Sequence, residues 1–192
     1  MAAADTAHAV HHVDSHSPER VRINRLGLWL FFASDGLLFA VFAAARFYND
    51  GTFRPDDLKQ ILGLAVTAVL LASSLTAYRA ETAIEHGNFA HGRLMLLLTI
   101  ILGVGFVAGV VTEWSLAEFT PSEGFGTSYF SMTGMHSMHV ITGILFLVVI
   151  YVRTGRGHFS SGYTWPVSGV IMYWHFVDVV WVFFYPTLYL VK

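Results

Sequence analysis

The sequence predicts an all-α, polytopic membrane protein built as a bundle of five transmembrane helices. Three observations support this fold class: hydrophobic residues make up 55% of the 192 residues, charged residues only 12%, and the mean hydropathy is +0.57. A soluble domain carries about 25% charged residues. The chain has no cysteine, which excludes disulfides, thiolate metal ligands and thiol catalysis. A net charge of −2 gives no basis for nucleic-acid binding.

Five apolar stretches account for the predicted helices. Each is 19 to 24 residues long, and a helix of about 20 residues spans the hydrocarbon of a bilayer. In chain order the stretches cover residues 26–48, 58–78, 94–112, 129–152 and 167–190. The charged residues that fall inside them are Asp35, Arg46, Lys59 and Asp178. We therefore expect one transmembrane domain over residues 26–192, preceded by a mobile polar tail over residues 1–25.

The distribution of lysine and arginine predicts how the helices are oriented, because short cytoplasmic loops carry an excess of these residues. The N-terminal segment and the loops after the second and fourth helices carry seven: Arg20, Arg22, Arg25, Arg79, Arg93, Arg153 and Arg156. The opposite side carries four: Arg46, Arg54, Lys59 and Lys192. This bias predicts that the N-terminus lies inside and the C-terminus outside.

Titratable side chains inside the predicted helices are the candidate functional residues. Helix 1 contributes an acid near its middle, helix 3 an acid at its outer end, and helices 4 and 5 each a pair spaced i, i+3. They are Asp35, Glu113, His136, His139, His175 and Asp178. The i, i+3 spacing places each pair on one helix face. An ionised group at the bilayer centre costs roughly 2.5–3.5 kcal/mol, so these side chains are expected to face the bundle and to have partners.

Three interpretations of these residues stay open on their chemistry alone. In the first, the histidines are axial ligands of a buried haem or a metal. In the second, the histidines and aspartates form a proton path. In the third they are structural, and Asp178 accepts a hydrogen bond from His136 or His139 that joins two helices; such a bond is worth about 1 kcal/mol in a membrane. Glu113 is expected to cap or pair. The sequence contains no phosphate-binding loop and no nucleophile motif.

Three long motifs carry a resemblance to a known family. They are Arg25–Phe39 (RLGLWLFFASDGLLF), Thr133–Gly143 (TGMHSMHVITG) and Tyr173–Tyr185 (YWHFVDVVWVFFY). The first resembles the helix that carries a membrane-embedded carboxylate in subunit III of the haem-copper terminal oxidases, the cytochrome c and quinol oxidases. The other two resemble the last two helices of that subunit. The similarity covers residues 22–191, and the chain is identified as a member of this family, similar to its short, five-helix bacterial form.

The resemblance implies a non-catalytic subunit of a proton-translocating oxidase. The chain would hold no haem or copper of its own; both are expected in partner subunits, and bound phospholipid is expected on this chain. The implied partners are oxidase subunit I in direct contact, subunit II, other subunits of the respiratory complex and membrane lipids, all in a bacterial plasma membrane. The implied role is to stabilise subunit I, hold lipids and support proton uptake during oxygen reduction. His136, His139 and His175 would then form, with Asp178, a polar seam between helices 4 and 5.

Two positions depart from the family pattern, and two other functions remain as alternatives. Asp35 stands where the family usually has glutamate, which shortens the side chain by one methylene, and Val110 stands where glutamine is frequent. The alternatives are an accessory subunit of a nitric oxide reductase and a haem-binding membrane cytochrome that uses His136, His139 or His175. A small proton-coupled transporter is disfavoured, because the sequence shows neither internal repeats nor helices interrupted by glycine and proline.

Overall fold

Five long α-helices make up the described part of the protein. The computed structural model describes residues 18–53, 55, 60–122, 124–159 and 164–191. The helices are α1 (Pro18–Asp50), α2 (Gln60–Glu85), α3 (Phe89–Leu116), α4 (Gly124–Gly155) and α5 (Trp165–Tyr185), and a π-helical turn (Pro186–Leu190) continues α5. All five are long and apolar enough to cross a membrane. The predicted all-α fold with five spans is confirmed.

The helices extend beyond the apolar stretches that predicted them. A hydropathy pattern marks only the part of a helix that lies in hydrocarbon, whereas the backbone stays helical into the headgroup region. The largest difference is at α1, which begins at Pro18 and not at Leu26. Proline is favoured in the first turn of a helix. Residues 18–25 of the predicted tail are therefore helical, and the rest of that tail lies outside the described residues.

Gly87 and Asn88 form the turn between α2 and α3. Gly87 has a φ of +76°, the left-handed region that favours glycine. The backbone N–H of Asn88 donates to the carbonyl of Ala83 at 2.8 Å, which closes the end of α2. The side chain of Asn88 accepts from the backbone N–H of His91 at 3.2 Å and caps the start of α3. As a result α2 and α3 run antiparallel and pack along their length.

The most central helix is α5. It packs against α1, α2 and α4, and half of its membrane span is buried, compared with 17% for α1. The helices α2, α3 and α4 follow one another around it, while α1 lies against α4 and α5 on the outside. The bundle core is therefore built around the residues of α5, and α1 keeps the largest free surface.

Two tryptophans of α5 anchor the core. Trp174 fits between α3 and α4 at Gly103 and Gly143, where a β-carbon would lie 2.7 Å and 2.9 Å from carbons of the indole ring. Its indole N–H donates to the Ser73 hydroxyl of α2 at 3.0 Å. Trp181 donates in the same way to Thr67 of α2, at 2.9 Å. The two indoles thus combine apolar packing with hydrogen bonds that would otherwise be missing in hydrocarbon.

Candidate functional site

Asp35 of α1 lies against His139 of α4. Nε2 of the imidazole is 3.2 Å from Oδ2 of the carboxylate, and the side chains of His139 and Asp35 are 12% and 11% exposed. The ring of Phe39 packs edge-on against His139, with ring centroids 4.8 Å apart. The aspartate reaches this partner although it is one methylene shorter than the usual family residue. The contact links the outermost helix to the rest of the bundle.

The tautomer of His139 follows from its other ring nitrogen. Nδ1 of His139 lies 2.8 Å from the carbonyl oxygen of Met135, and a carbonyl only accepts, so Nδ1 carries a hydrogen. In a neutral ring Nε2 is then an acceptor. Oδ2 of Asp35 has no partner in hydrogen-bond geometry among the described residues, so its 3.2 Å approach to Nε2 is a close polar contact.

His175 and Asp178 face α2, not α4. Nδ1 of His175 lies 2.7 Å from the Ser74 hydroxyl. The Ser74 side chain also lies near the Asp178 carboxylate. Neither carboxylate oxygen has a partner in hydrogen-bond geometry among the described residues. Asp178 is only 4% exposed. Ser74 is therefore the polar neighbour shared by the two side chains of α5.

His136 lies in an aromatic pocket at the centre of the bundle. Its ring is fully buried. The ring centroid is 4.8 Å from that of Trp181 and 5.5 Å from that of Phe106. Neither ring nitrogen has a hydrogen-bond partner among the described residues. These rings fill the space around the imidazole, so its surroundings fit helix packing better than axial ligation of a haem.

The predicted seam between helices 4 and 5 is not the arrangement found. His139 pairs with α1, His175 with α2, and His136 packs against aromatic rings. The i, i+3 spacing placed His175 and Asp178 on one face toward α2, whereas His136 and His139 meet different neighbours. Across the described residues, no group of three or more His, Cys, Asp or Glu side chains is arranged to hold a metal ion.

Glu113 belongs to a buried polar cluster at the end of the bundle where α3 and α5 end. It is 5% exposed, and the Tyr189 hydroxyl donates to its Oε2 at 2.8 Å. The Tyr129 hydroxyl lies 3.3 Å from that of Tyr189. The neighbours of Glu113 are tyrosines that the sequence analysis did not single out. Tyr129 and Tyr189 lie near the ends of apolar stretches, a position that is typical of aromatic residues at the membrane interface. The sequence therefore did not indicate that they form a buried cluster with Glu113.

The π-helical turn places Tyr189 in this cluster. Pro186 has no backbone N–H, so the α-helical bonding of α5 cannot continue through it. The turn closes instead with the backbone N–H of Val191 donating to the Pro186 carbonyl at 3.0 Å. The wider turn directs the Tyr189 ring onto Gly63 of α2, where a β-carbon would lie 2.5 Å from the ring. Such turns often mark functional positions in helices.

Replacing Tyr189 with phenylalanine is expected to lower the unfolding free energy by about 1–3 kcal/mol, because the buried Glu113 loses a donor. Glu113→Leu should cost a similar amount, and the double variant less than the sum, since the two residues share one interaction. Tyr185→Phe is the matched control, because Tyr185 stacks on the Tyr189 ring at 5.1 Å. Unfolding of the purified protein in bicelles measures all four. Additive costs would contradict the pairing.

Arg46 is a second residue whose role the sequence did not show. Its side chain is fully buried, donates to the Gly51 carbonyl at 2.8 Å and also donates to the Phe53 carbonyl. Asp50 Oδ2 lies 4.0 Å from it and accepts from the Ser128 hydroxyl at 2.7 Å. The i, i+4 spacing of Arg46 and Asp50 was the available signal. Together these contacts fasten the loop after α1 to the start of α4.

The fold and these contacts define a class of protein: a multi-pass membrane protein in which several intramembrane polar residues join the helices in separate pairs. The family model for cytochrome c oxidase subunit III matches residues 4–192. Cytochrome c oxidase subunit 3 of Syncerus caffer is 35% identical over 187 residues, which cover 91% of this chain and 72% of that protein. The same figures hold for the subunits 3 of Gazella leptoceros and Pelea capreolus. The chain belongs to the cytochrome c oxidase subunit III family.

The family assigns the chain to a haem-copper oxidase. As a subunit III it is one component of a complex with other oxidase subunits. The resemblance drawn from the three motifs is confirmed. At the two positions that depart from the family pattern, Asp35 lies 3.2 Å from His139 and Val110 is 1% exposed in the apolar core.

Proposed function

We propose that this chain is a non-catalytic packing subunit that stabilises the haem-bearing subunit I of its oxidase. The observation that supports this is the distribution of polar side chains. Asp35 joins α1 to α4, His175 joins α5 to α2, and Glu113 joins α3 to the π-helical turn. A site of chemistry would bring such groups together around one substrate. Here they are used singly to hold helices in register, as polar groups in membrane bundles do.

The same proposal includes contact with lipid and support of proton uptake. The outward residues of α3 and α4 are aliphatic, with Ile101 and Leu145 more than half exposed, and suit phospholipid chains. At the end of the bundle where α2 and α4 finish, His86, His91 and His158 are exposed. Imidazole is the side chain that exchanges protons near neutral pH. We place this end on the cytoplasmic side of a bacterial plasma membrane, from the excess of arginine there.

Gentle detergent extraction followed by mass spectrometry tests the proposal. The expected result is a stoichiometric complex in which this chain accompanies subunit I and a haem spectrum. Recovery of the chain alone as a stable, folded protein would contradict it. So would a Soret band carried by the isolated chain and lost in His136→Ala, which would favour the membrane cytochrome. A copurifying nitric oxide reductase would point to the remaining alternative.

Asp35→Ala is expected to leave the haem absorption spectrum of the purified complex unchanged while reducing the amount of this chain retained in it. The reason is that Asp35 is paired with His139 within the chain, so its loss loosens α1 without touching a redox centre. Asp35→Glu is the control, since it keeps the carboxylate. A shifted haem band in Asp35→Ala alone would show that α1 lies beside a haem, against the proposed role.

A further inference from the structure

A groove on the surface of the bundle follows α5 between α1 and α2. Outward residues recur on α5 every three to four positions and form its floor: Ser168, Met172, His175, Val179 and Val182. Val179 and Val182 are 52% and 46% exposed. On one side Phe176 stacks on Phe32 of α1 at 4.7 Å, and on the other His175 contacts Ser74 of α2. We call this surface the α5 groove.

The α1 wall of the α5 groove is made of small residues. Gly36, Ala40 and Ala43 line a cavity of about 430 Å³ together with residues of α5. A β-carbon at Gly36 would meet only a ring carbon of Phe176, at 3.9 Å. Small residues at this spacing let the backbone of a second helix approach closely in a membrane. The wall therefore has the shape that a packed helix requires.

His175 gives the floor of the α5 groove a polar atom without a partner. Its Nδ1 contacts Ser74, while its Nε2 has no hydrogen-bond partner within the part of the chain that the structure describes and is not enclosed by it. His175 is near the middle of α5, so this nitrogen opens on the membrane-facing surface. An unpaired polar group in hydrocarbon costs free energy, and an acyl chain cannot bond to it.

Two outward threonines on other helices differ from His175 in this respect. On the outward side of α3 the Thr112 hydroxyl donates to the Ala108 carbonyl at 2.8 Å. On the outward side of α4 the Thr142 hydroxyl donates to the Met138 carbonyl at 3.0 Å. Both hydroxyls are satisfied one turn back in their own helix, so neither needs a partner from outside the chain.

We infer that the α5 groove receives a transmembrane helix of another oxidase subunit, and that this helix presents a hydrogen-bonding side chain to Nε2 of His175. The inference rests on the proposed function, because it selects the face by which the chain packs into its complex. Shape, small residues and the unpaired nitrogen all favour a protein helix over lipid at this position.

Photocrosslinking in the intact complex tests which face is covered. A photoreactive p-benzoylphenylalanine replaces Val179 in one variant and Val104 of α3 in another; both valines are 52% exposed and lie near the middle of their helices. We expect an adduct with another oxidase polypeptide from position 179 and lipid adducts only from position 104. Lipid adducts only from 179, in a complex that still copurifies, overturn the inference and leave the proposed function intact. Failure to copurify in the unmodified protein overturns both.

Two substitutions of His175 separate its inward and outward contacts. Asparagine reproduces Nδ1, so His175→Asn keeps the bond to Ser74 and loses the outward atom. Glutamine reaches the position of Nε2, so His175→Gln keeps the outward donor and loses the bond to Ser74. The expected result is about three- to tenfold weaker retention of the chain in the complex for His175→Asn than for His175→Gln, as for one intramembrane hydrogen bond. Equal retention, or weaker retention for His175→Gln, would refute the outward contact.

Discussion

Replacing Trp174 with alanine is expected to lower the unfolding free energy of the bundle by about 3–5 kcal/mol. The indole is 1% exposed, fills the space left by Gly103 and Gly143, and bonds to Ser73. Alanine would leave a cavity shared by α3, α4 and α5, and a buried serine hydroxyl without its donor. Glycine at both facing positions means that neither of these two residues has a side chain to fill the cavity.

The measurement is unfolding of the purified protein in bicelles, with Trp29→Ala as the matched control. Trp29 is 57% exposed on α1, so its removal deletes the same side chain without opening the core. The control should change stability by less than about 1 kcal/mol, as surface substitutions usually do. A second, independent variant is Gly143→Val, which should destabilise by overfilling the site. Equal effects of Trp174→Ala and Trp29→Ala would show that the indole is not a core residue.

Arg46→Met is the second substitution with a large expected effect, a loss of about 3–5 kcal/mol. Methionine keeps the length of the side chain and removes every donor. The carbonyls of Gly51 and Phe53 then lose their partner, and the buried Asp50 loses its counter-charge. The loop after α1 should separate from the start of α4, and protease cleavage after α1 should become faster.

The double variant Arg46→Met with Asp50→Leu distinguishes a charge pair from simple filling of space. Removing both partners of a buried pair costs less than removing one, so the double variant should recover part of the loss. Arg156→Met is the control, because Arg156 is exposed beyond the end of α4. If the double variant is less stable than Arg46→Met alone, the proposed pairing is wrong.

The number of helices and the depth of their polar residues could be predicted from the sequence, because both depend on position along an apolar stretch. Asp35 and His139 each fall near the middle of a predicted span, and Ser74 and His175 lie toward the same end of the bundle within theirs. Antiparallel neighbours bring residues of equal depth together. The sequence therefore restricted the possible partners of each buried polar group to a few.

The rotation of each helix about its own axis could not be predicted from the sequence. This rotation determines which residues each buried polar side chain contacts. An apolar helix in a membrane is hydrophobic on every side, so its pattern does not show which face is inward. His139 turned out to face α1 and His175 to face α2. The Tyr189 contact with Glu113 depends on the π-helical turn at Pro186, a backbone feature that residue types alone do not reveal.

The central position of α5 also has a consequence for biosynthesis. It is the last of the described helices in chain order, yet it contacts α1, α2 and α4 and sends an indole between α3 and α4. The four earlier helices therefore enter the bilayer before their shared core exists, with Gly103 and Gly143 facing nothing of matching shape. The nascent bundle therefore lacks its central helix until the ribosome has delivered α5, and lipid or an insertase has to cover the surfaces that α5 later buries.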